Sequence, residues 1–201
     1  TTLDVAGHPQ RDPARPAGQV IVWIGLPGNL RFLEPLRPVM AALARQWPAL
    51  RLRVISSAWP DWDDVPIERV PWSPDTEREA LAGADIGIMP LTDDPYARGK
   101  CAFKLLQYMA AGLPCVASPV GANCEVVKDG ETGLLASEAA QWQAALQTLL
   151  ADPALRARMG GLGRAHALQH YDAGAVLPAV ADRIAARAGS RPPAGAEGRP
   201  V

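Results

Sequence analysis

The chain has 201 residues and a formal net charge of −1, with 48% hydrophobic and 20% charged residues. This length accommodates one ordinary domain with a real core, and the composition is typical of a globular protein. Because the net charge is near zero, the surface as a whole would not attract nucleic acid or a membrane, so any anion must be bound by a local basic cluster.

No apolar run approaches the roughly 20 residues of a bilayer span, and no signal-peptide pattern opens the sequence. The three cysteines, Cys101, Cys115 and Cys124, lack the spacing of a disulfide framework, and together with the three histidines they make no zinc pattern. We therefore expect reduced thiols, a cytoplasmic location and no bound metal.

The composition divides the chain into three parts. Residues 1–18 are rich in proline, glycine and polar residues and start without methionine, so we expect a linker from a missing N-terminal domain. Residues 19–188 carry the apolar periodicity of an ordered domain. Residues 189–201 have the composition of a flexible tail.

Short apolar runs alternate with helical patterns along the ordered part. In chain order the pattern predicts a strand over 20–25, a helix over 32–47, strands over 50–55 and 67–70, a helix over 75–82, a strand over 85–90, a short amphipathic helix, a strand over 115–117, one helical turn over 125–127, a strand over 133–135, and helices over 138–151, 153–170 and 173–188. Pro35 and Pro38 place the true start of the first helix somewhat later than residue 32, since proline suits the first turn.

This alternation predicts an α/β fold: a doubly wound parallel sheet of about six strands, with helices on both faces and a helical C-terminus. Ligands of such sheets bind outside the carboxyl ends of the strands. We therefore expect the loops 26–30, 90–100 and 118–124 to face one crevice.

The stretch 98–118 contains a basic loop, the amphipathic helix, a Gly-Pro stop and a buried strand. Arg98, Lys100 and Lys104 gather at the start of this helix, and the four-residue spacing of the lysines predicts that both lie on one helix face. Free amide groups, the helix dipole and basic side chains together bind phosphate, which favours a nucleotide diphosphate as ligand. The alternative interpretation is an ordinary solvated basic face.

Three segments, DIGIMP at 85–90, LLQYMAAGLPCVAS at 105–118 and EVVKDGETGLL at 125–135, resemble the C-terminal half of the group 1 (family 4) glycosyltransferases. The resemblance covers roughly residues 19–188. It implies one Rossmann-like half of a GT-B fold, in which this half binds the nucleotide-diphosphate sugar and the missing N-terminal half binds a sugar, lipid or polysaccharide acceptor. It also implies transfer with retention and without a metal or cofactor, and peripheral membrane contact only through the missing half.

The chain departs from the family pattern of two glutamates. Gly99 and Gln107 occupy their positions. The resemblance implies that Gln107 hydrogen-bonds the ribose, because an amide both donates and accepts. Gly99 has no side chain to replace the other carboxylate, so Asp93 and Asp94 become the catalytic candidates, against an ordinary role in the loop and as a helix cap.

Further candidates come from the predicted strand ends. Gly25 and Gly28 would let the backbone approach a phosphate, together with Arg98, Gly99 and the two lysines; an ordinary turn is the alternative. Trp72 follows the third strand, where the resemblance places the nucleotide base, although packing is the commoner role of such a tryptophan.

Three functions are therefore compared. The first is a sugar-transferring enzyme, of which this fragment alone would be inactive. The second is a non-catalytic Rossmann-like module that binds a nucleotide or a protein, which the missing glutamates favour. A dinucleotide-dependent oxidoreductase is disfavoured because no Gly-x-Gly-x-x-Gly connects a strand to a helix.

Overall fold

A computed structural model of the chain describes residues 1–12 and 18–189. Within this part, six parallel strands form one sheet in the order β3-β2-β1-β4-β5-β6. The strands are β1 (Val20–Ile24), β2 (Arg51–Ser56), β3 (Ile67–Pro71), β4 (Ile86–Met89), β5 (Cys115–Ala117) and β6 (Gly133–Leu135). The order reverses between β1 and β4, which confirms the predicted doubly wound sheet.

Eight α-helices connect or follow these strands in the described residues. They are α1 (Arg37–Gln46), α2 (Pro74–Ala82), α3 (Pro95–Arg98), α4 (Phe103–Ala110), α5 (Asn123–Val126), α6 (Ala139–Ala151), α7 (Pro153–Tyr171) and α8 (Ala173–Gly189). The predicted helical C-terminus is therefore confirmed. The tail expected over 189–201 lies, from residue 190 onwards, outside the described residues, as do residues 13–17.

Both faces of the sheet are buried, and β1 shows how the sequence achieves this. Successive strand residues point to opposite faces. Ile21 and Trp23 belong to the core cluster that includes α1 and α6, whereas Val22 and Ile24 belong to the cluster that includes α4. A run of apolar residues without alternation is what a strand covered on both faces requires.

The first helix begins later than residue 32, as Pro35 and Pro38 predict. Two 3₁₀ turns, Pro27–Phe32 and Glu34–Leu36, precede α1, because Pro35 and Pro38 lack the amide hydrogens that a continuous α-helix needs there. Helix α2 begins after Ser73, whose hydroxyl accepts from the amide of Thr76.

Residues 1–12, which composition predicts to be a linker, pack against the domain. Val5 is completely buried, and its amide donates to the Asp172 carboxylate at 3.0 Å. Arg11 forms an ion pair of 3.0 Å with the buried carboxylate of Asp85. Composition averages over the segment and misses these few contacts, each of which depends on a partner far along the chain.

Helix α7 packs closely behind α4, the helix that carries Lys104 and Gln107. Small residues allow this approach: a methyl group on Gly160 would overlap the carbonyl oxygen of Gly112, the residue with φ +72° that follows α4. The position of α4 relative to the sheet therefore depends on a glycine in α7.

Gly160→Ala is expected to destabilise the protein by about 1–3 kcal/mol, because the new methyl group meets backbone that has no room to move. The adjacent Gly161 faces open space. Gly161→Ala is the matched control and should be neutral or stabilising by up to about 1 kcal/mol, since alanine favours the helix. Urea unfolding of both variants tests this; equal stabilities would contradict the packing role of Gly160.

Candidate functional site

A cavity of about 480 Å³ opens at the carboxyl ends of β1 to β4, next to the point where the strand order reverses. Doubly wound sheets bind their ligands at this position. The cavity is lined by Ile24, Gly25, Leu26, Pro27, Asn29, Ser57, Trp72, Glu77, Met89, Gly99, Lys100, Cys101, Ala102, Phe103, Lys104 and Gln107. Two of the three lysines in the chain are in this set.

The start of α4 faces this cavity. Ala102, just before the helix, adopts a left-handed conformation with φ +55°, and Phe103 begins the helix. Lys100 therefore lies in the loop before the helix, which corrects the prediction that Lys100 and Lys104 share one helix face. The first amide groups of a helix have no carbonyl partner within it, so the positive end of the α4 dipole is directed towards the cavity.

Lys104 is half-buried and carries an uncompensated charge. Its Nζ lies 5.7 Å from the centre of the Trp23 ring, and among the described residues it has no hydrogen-bond or ion-pair partner. Burial, and secondarily repulsion by Lys100, lowers its pKa to about 8. Since a buried charge without a partner is costly, an anion in the cavity would stabilise the protonated form.

Lys100 is held by neutral groups rather than by a carboxylate. Its Nζ donates to Oδ1 of Asn29 at 3.2 Å and lies 4.3 Å from the Tyr96 ring centre and 5.5 Å from that of Phe32. In the described part of the chain no acidic residue pairs with either lysine. The two ammonium groups thus line the cavity without an acidic partner among the described residues.

Gly25 leaves the space that Lys104 occupies. A Cβ atom at position 25 would lie 2.6 Å from the Trp23 ring and 3.1 Å from Cε of Lys104. Gly99 lines the cavity too, but a methyl group there would make only ordinary contacts. Gly28 does not line the cavity, and nothing lies within 4 Å of a Cβ built on it.

The cavity has a second polar end, formed by Trp72, Glu77 and Gln107. The indole Nε1 of Trp72 and the amide Nε2 of Gln107 both donate to the carboxylate of Glu77. Gln107 is only 5% exposed, whereas Trp72 is 52% exposed and keeps a free ring surface. The structure thus brings both predicted residues together around a carboxylate that the sequence analysis did not single out.

The remaining predicted residues lie outside this cavity. The Arg98 guanidinium donates twice to Asp93, at 2.6 and 2.9 Å, and this pairing lowers the pKa of Asp93. Asp94 caps α3 by accepting from the Ala97 amide at 2.7 Å. Neither aspartate lines the cavity that contains Lys100 and Lys104.

A second cavity, also of about 480 Å³, lies at the carboxyl ends of β4 and β5. Asp93, Ser118 and Glu138 are among its lining residues. The three loops expected to share one crevice are therefore divided between two cavities. The loop after β1 lines the first cavity and the loop after β5 lines the second. The loop after β4 lines both: residues 90–93 face the second cavity, and residues 99 and 100 face the first.

Sequence reasoning missed Glu77, Asn29 and Tyr96. Asn29 had the best available signal, since it lies in the short loop after a strand that ends in glycine. Glu77 gave none, because an acidic residue in the first turn of a helix usually serves the helix dipole.

Within residues 1–12 and 18–189, no helix is both long and apolar enough to cross a bilayer. No group of three or more histidine, cysteine, aspartate or glutamate side chains there is arranged to hold a metal ion.

Comparison with known proteins places this geometry in a family. The family described as "Glycosyl transferases group 1" matches residues 19–152. The chain is 33% identical over 155 residues to a D-inositol 3-phosphate glycosyltransferase from Acidothermus cellulolyticus, which covers 76% of this chain and 30% of the relative. Across the curated relatives it matches, the chain spans 24% to 40% of their length.

Two solved structures have the same fold. HepE of Anabaena in complex with UDP and glucose has a TM-score of 0.66 at 16% identity, covering 95% of this chain and 56% of HepE. The C-terminal domain of a group 1 glycosyl transferase family protein from Francisella tularensis has a TM-score of 0.64 at 18% identity, covering 85% of this chain and 99% of that domain. With the sheet order, the cavity at the strand reversal and the family match in agreement, the chain belongs to the group 1 glycosyltransferases and has the Rossmann-like architecture of one half of a GT-B enzyme.

Proposed function

We propose that this chain is the donor-binding domain of a glycosyltransferase that takes its sugar from a nucleotide-diphosphate sugar. The observation that carries the proposal is the pair of ammonium groups, Lys100 and Lys104, at the mouth of a cavity where no described acidic residue neutralises them. A diphosphate supplies the missing negative charge, and its oxygens accept hydrogen bonds from both lysines and from the start of α4.

The same groups have a chemical role in sugar transfer. As the bond between sugar and diphosphate breaks, negative charge builds up on the departing phosphate oxygen. Ammonium groups already held in place by Asn29, Tyr96 and Trp23 stabilise that charge without having to reorganise. In this proposal the lysines, rather than a metal ion or cofactor, neutralise the leaving group, and the transfer proceeds with retention as the family resemblance implies.

The comparisons support the ligand class. HepE, which has a similar fold, was solved with UDP and glucose. Residues at or just after the ends of four strands, β1 to β4, line the cavity in this chain, which gives room for a base and ribose beside the diphosphate.

The acceptor, a sugar, lipid or polysaccharide, belongs in this proposal to an N-terminal domain outside the 201 residues, and any peripheral contact with a membrane occurs through that domain. The aspartates proposed for catalysis, Asp93 and Asp94, would then act only when that domain completes the site. The three cysteines are unpaired, which supports a reducing, cytoplasmic location.

A non-catalytic binding module is the second candidate, because Gly99 and Gln107 replace two carboxylates of the family pattern. Thermal-shift titration with UDP-, GDP- and ADP-sugars tests the proposal, since a ligand of the folded state raises its melting temperature. Binding of a nucleotide sugar supports the donor-binding domain. An unchanged melting temperature with every nucleotide would favour a module that binds a protein.

Lys104→Ala is expected to weaken nucleoside diphosphate binding by about 1–3 kcal/mol, the range for losing a charge-assisted contact. Isothermal titration calorimetry measures this directly. Lys128→Ala is the matched control, because Lys128 is exposed and lies outside the cavity. Equal affinities in wild type and Lys104→Ala would refute the phosphate assignment.

Diphosphate binding is expected to weaken as the pH rises through about 8, because Lys104 with a pKa of about 8 then loses the proton that attracts the anion. An ordinary lysine would not produce this loss until well above pH 9. Titrations from pH 7 to about pH 9.5 test this, and an affinity independent of pH in wild type would contradict it.

Lys104→Met is expected to stabilise the ligand-free protein by about 1–3 kcal/mol at pH 7, because the folded state no longer holds a partly desolvated charge. The sign follows from the lowered pKa: between about pH 8 and pH 10.5 the unfolded chain binds a proton that the folded protein releases, so wild-type stability rises with pH. In the variant this rise should be absent. Denaturant unfolding at pH 7 and pH 10 compares the two proteins.

A further inference from the structure

Glu77 is an anomaly in a cavity that otherwise attracts anions. It is the only acidic residue among the described residues that line the cavity. No ion pair joins it to Lys100 or Lys104. Its charge therefore repels a diphosphate without neutralising a lysine, and its place in the lining needs another explanation.

We propose that Glu77 is the specificity-determining residue for the ribose of the bound nucleotide: its carboxylate accepts hydrogen bonds from the 2′ and 3′ hydroxyl groups. This inference rests on the proposed function, since it assigns the part of the ligand that adjoins the diphosphate. A carboxylate is suited to this task because it only accepts hydrogen bonds, and a vicinal pair of hydroxyl groups offers two donors at the spacing of its two oxygens.

The hydrogen bonds that Glu77 already makes leave it able to bind hydroxyl groups. One oxygen accepts from the Trp72 indole and the other from the Gln107 amide. Each carboxylate oxygen has two lone pairs, so one on each oxygen is still available. The two neutral donors fix the carboxylate at the cavity wall without cancelling its charge.

The distances along the fold place a ribose at this point. Lys104 and Gln107 are three residues apart on α4, a separation of about 4.5 Å along the helix axis. Trp72 follows β3, which is two strands away from β1 and Gly25, a distance of about 10 Å across the sheet. A nucleotide with its diphosphate at Lys104 therefore brings its ribose to Gln107 and Glu77, and its base to the half-exposed ring of Trp72.

The alternative is a purely structural Glu77 that fastens α2 to α4. The two roles differ in what they do to ligand selectivity. A structural carboxylate affects all ligands alike, whereas a ribose-binding one distinguishes nucleotides with and without a 2′ hydroxyl and has no effect on pyrophosphate.

The test is calorimetry on the 201-residue chain with four variants or forms: wild type, Glu77→Gln, the control Glu79→Gln, and the exchange Glu77→Gln with Gln107→Glu. Glu79 is exposed on the same helix and outside the cavity. The ligands are UDP, GDP, ADP, the 2′-deoxy form of whichever binds most tightly, and inorganic pyrophosphate.

Wild type and Glu79→Gln should bind the ribonucleotide about tenfold more tightly than its 2′-deoxy form, the scale of one hydrogen bond to a charged group. Glu77→Gln should reduce this ratio to about twofold or less and leave pyrophosphate affinity unchanged or slightly higher. The exchange variant returns a carboxylate to the same hydrogen-bonded pair and should restore most of the ratio, which also provides a test if the single variant folds poorly.

The inference is overturned, with donor binding intact, if nucleotides and pyrophosphate bind but the ratio is the same in wild type and Glu77→Gln, or if wild type has no preference for the ribonucleotide. If neither pyrophosphate nor any of the three nucleotides binds wild type, the proposed function fails and this inference falls with it.

Discussion

The structure of the site depends on one unfavourable interaction: a half-buried ammonium group without a counter-ion. Lys104 lies against Trp23 and beside Lys100, and burial lowers its pKa to about 8. Burying a charge without a partner costs free energy, which the rest of the folded structure must offset. In the proposed function the missing counter-charge is also what would make the cavity bind an anion, so the cost in stability and the affinity for a ligand would have the same origin.

The rest of the fold keeps that charge where it is. Helix α4 cannot move away from the sheet, because its inner face is buried in the core and α7 packs against it through Gly160 and Gly163. Gly25 leaves the space for the Lys104 side chain at the end of β1. A parallel sheet covered on both faces provides this rigidity, since each strand is held from both sides and the loops alone are free to form a site.

The sequence predicted the parts of this arrangement that are local. The run 98–118 is continuous in the chain, so its spacing alone predicted the strand β5, the helix before it and the basic start of that helix. The spacing of residues within a segment does not predict contacts between segments that are distant in the chain. The bond between Glu77 and Gln107 spans 30 residues and depends on where α2 packs, and the amide of Val5 donates to Asp172, which is 167 residues further along the chain. The loop 90–100 was assigned to one crevice because nothing in its sequence shows that Asp93 binds Arg98 and turns towards the second cavity.

In the proposed site, the groups for phosphate and the groups for the nucleoside lie on two different segments of the chain. The groups proposed to hold phosphate lie on 99–104, at the start of α4, whereas Trp72 and Glu77 lie five residues apart, between the end of β3 and the first turn of α2. Where the family pattern has a glutamate, Gln107 donates to Glu77, so the negative charge is kept but is carried by the segment that also carries the aromatic ring. Substitutions in 72–77 would then alter which nucleoside is accepted and leave Lys100 and Lys104 in place, because Lys100 donates to Asn29 and the Glu77 carboxylate is joined to α4 at Gln107.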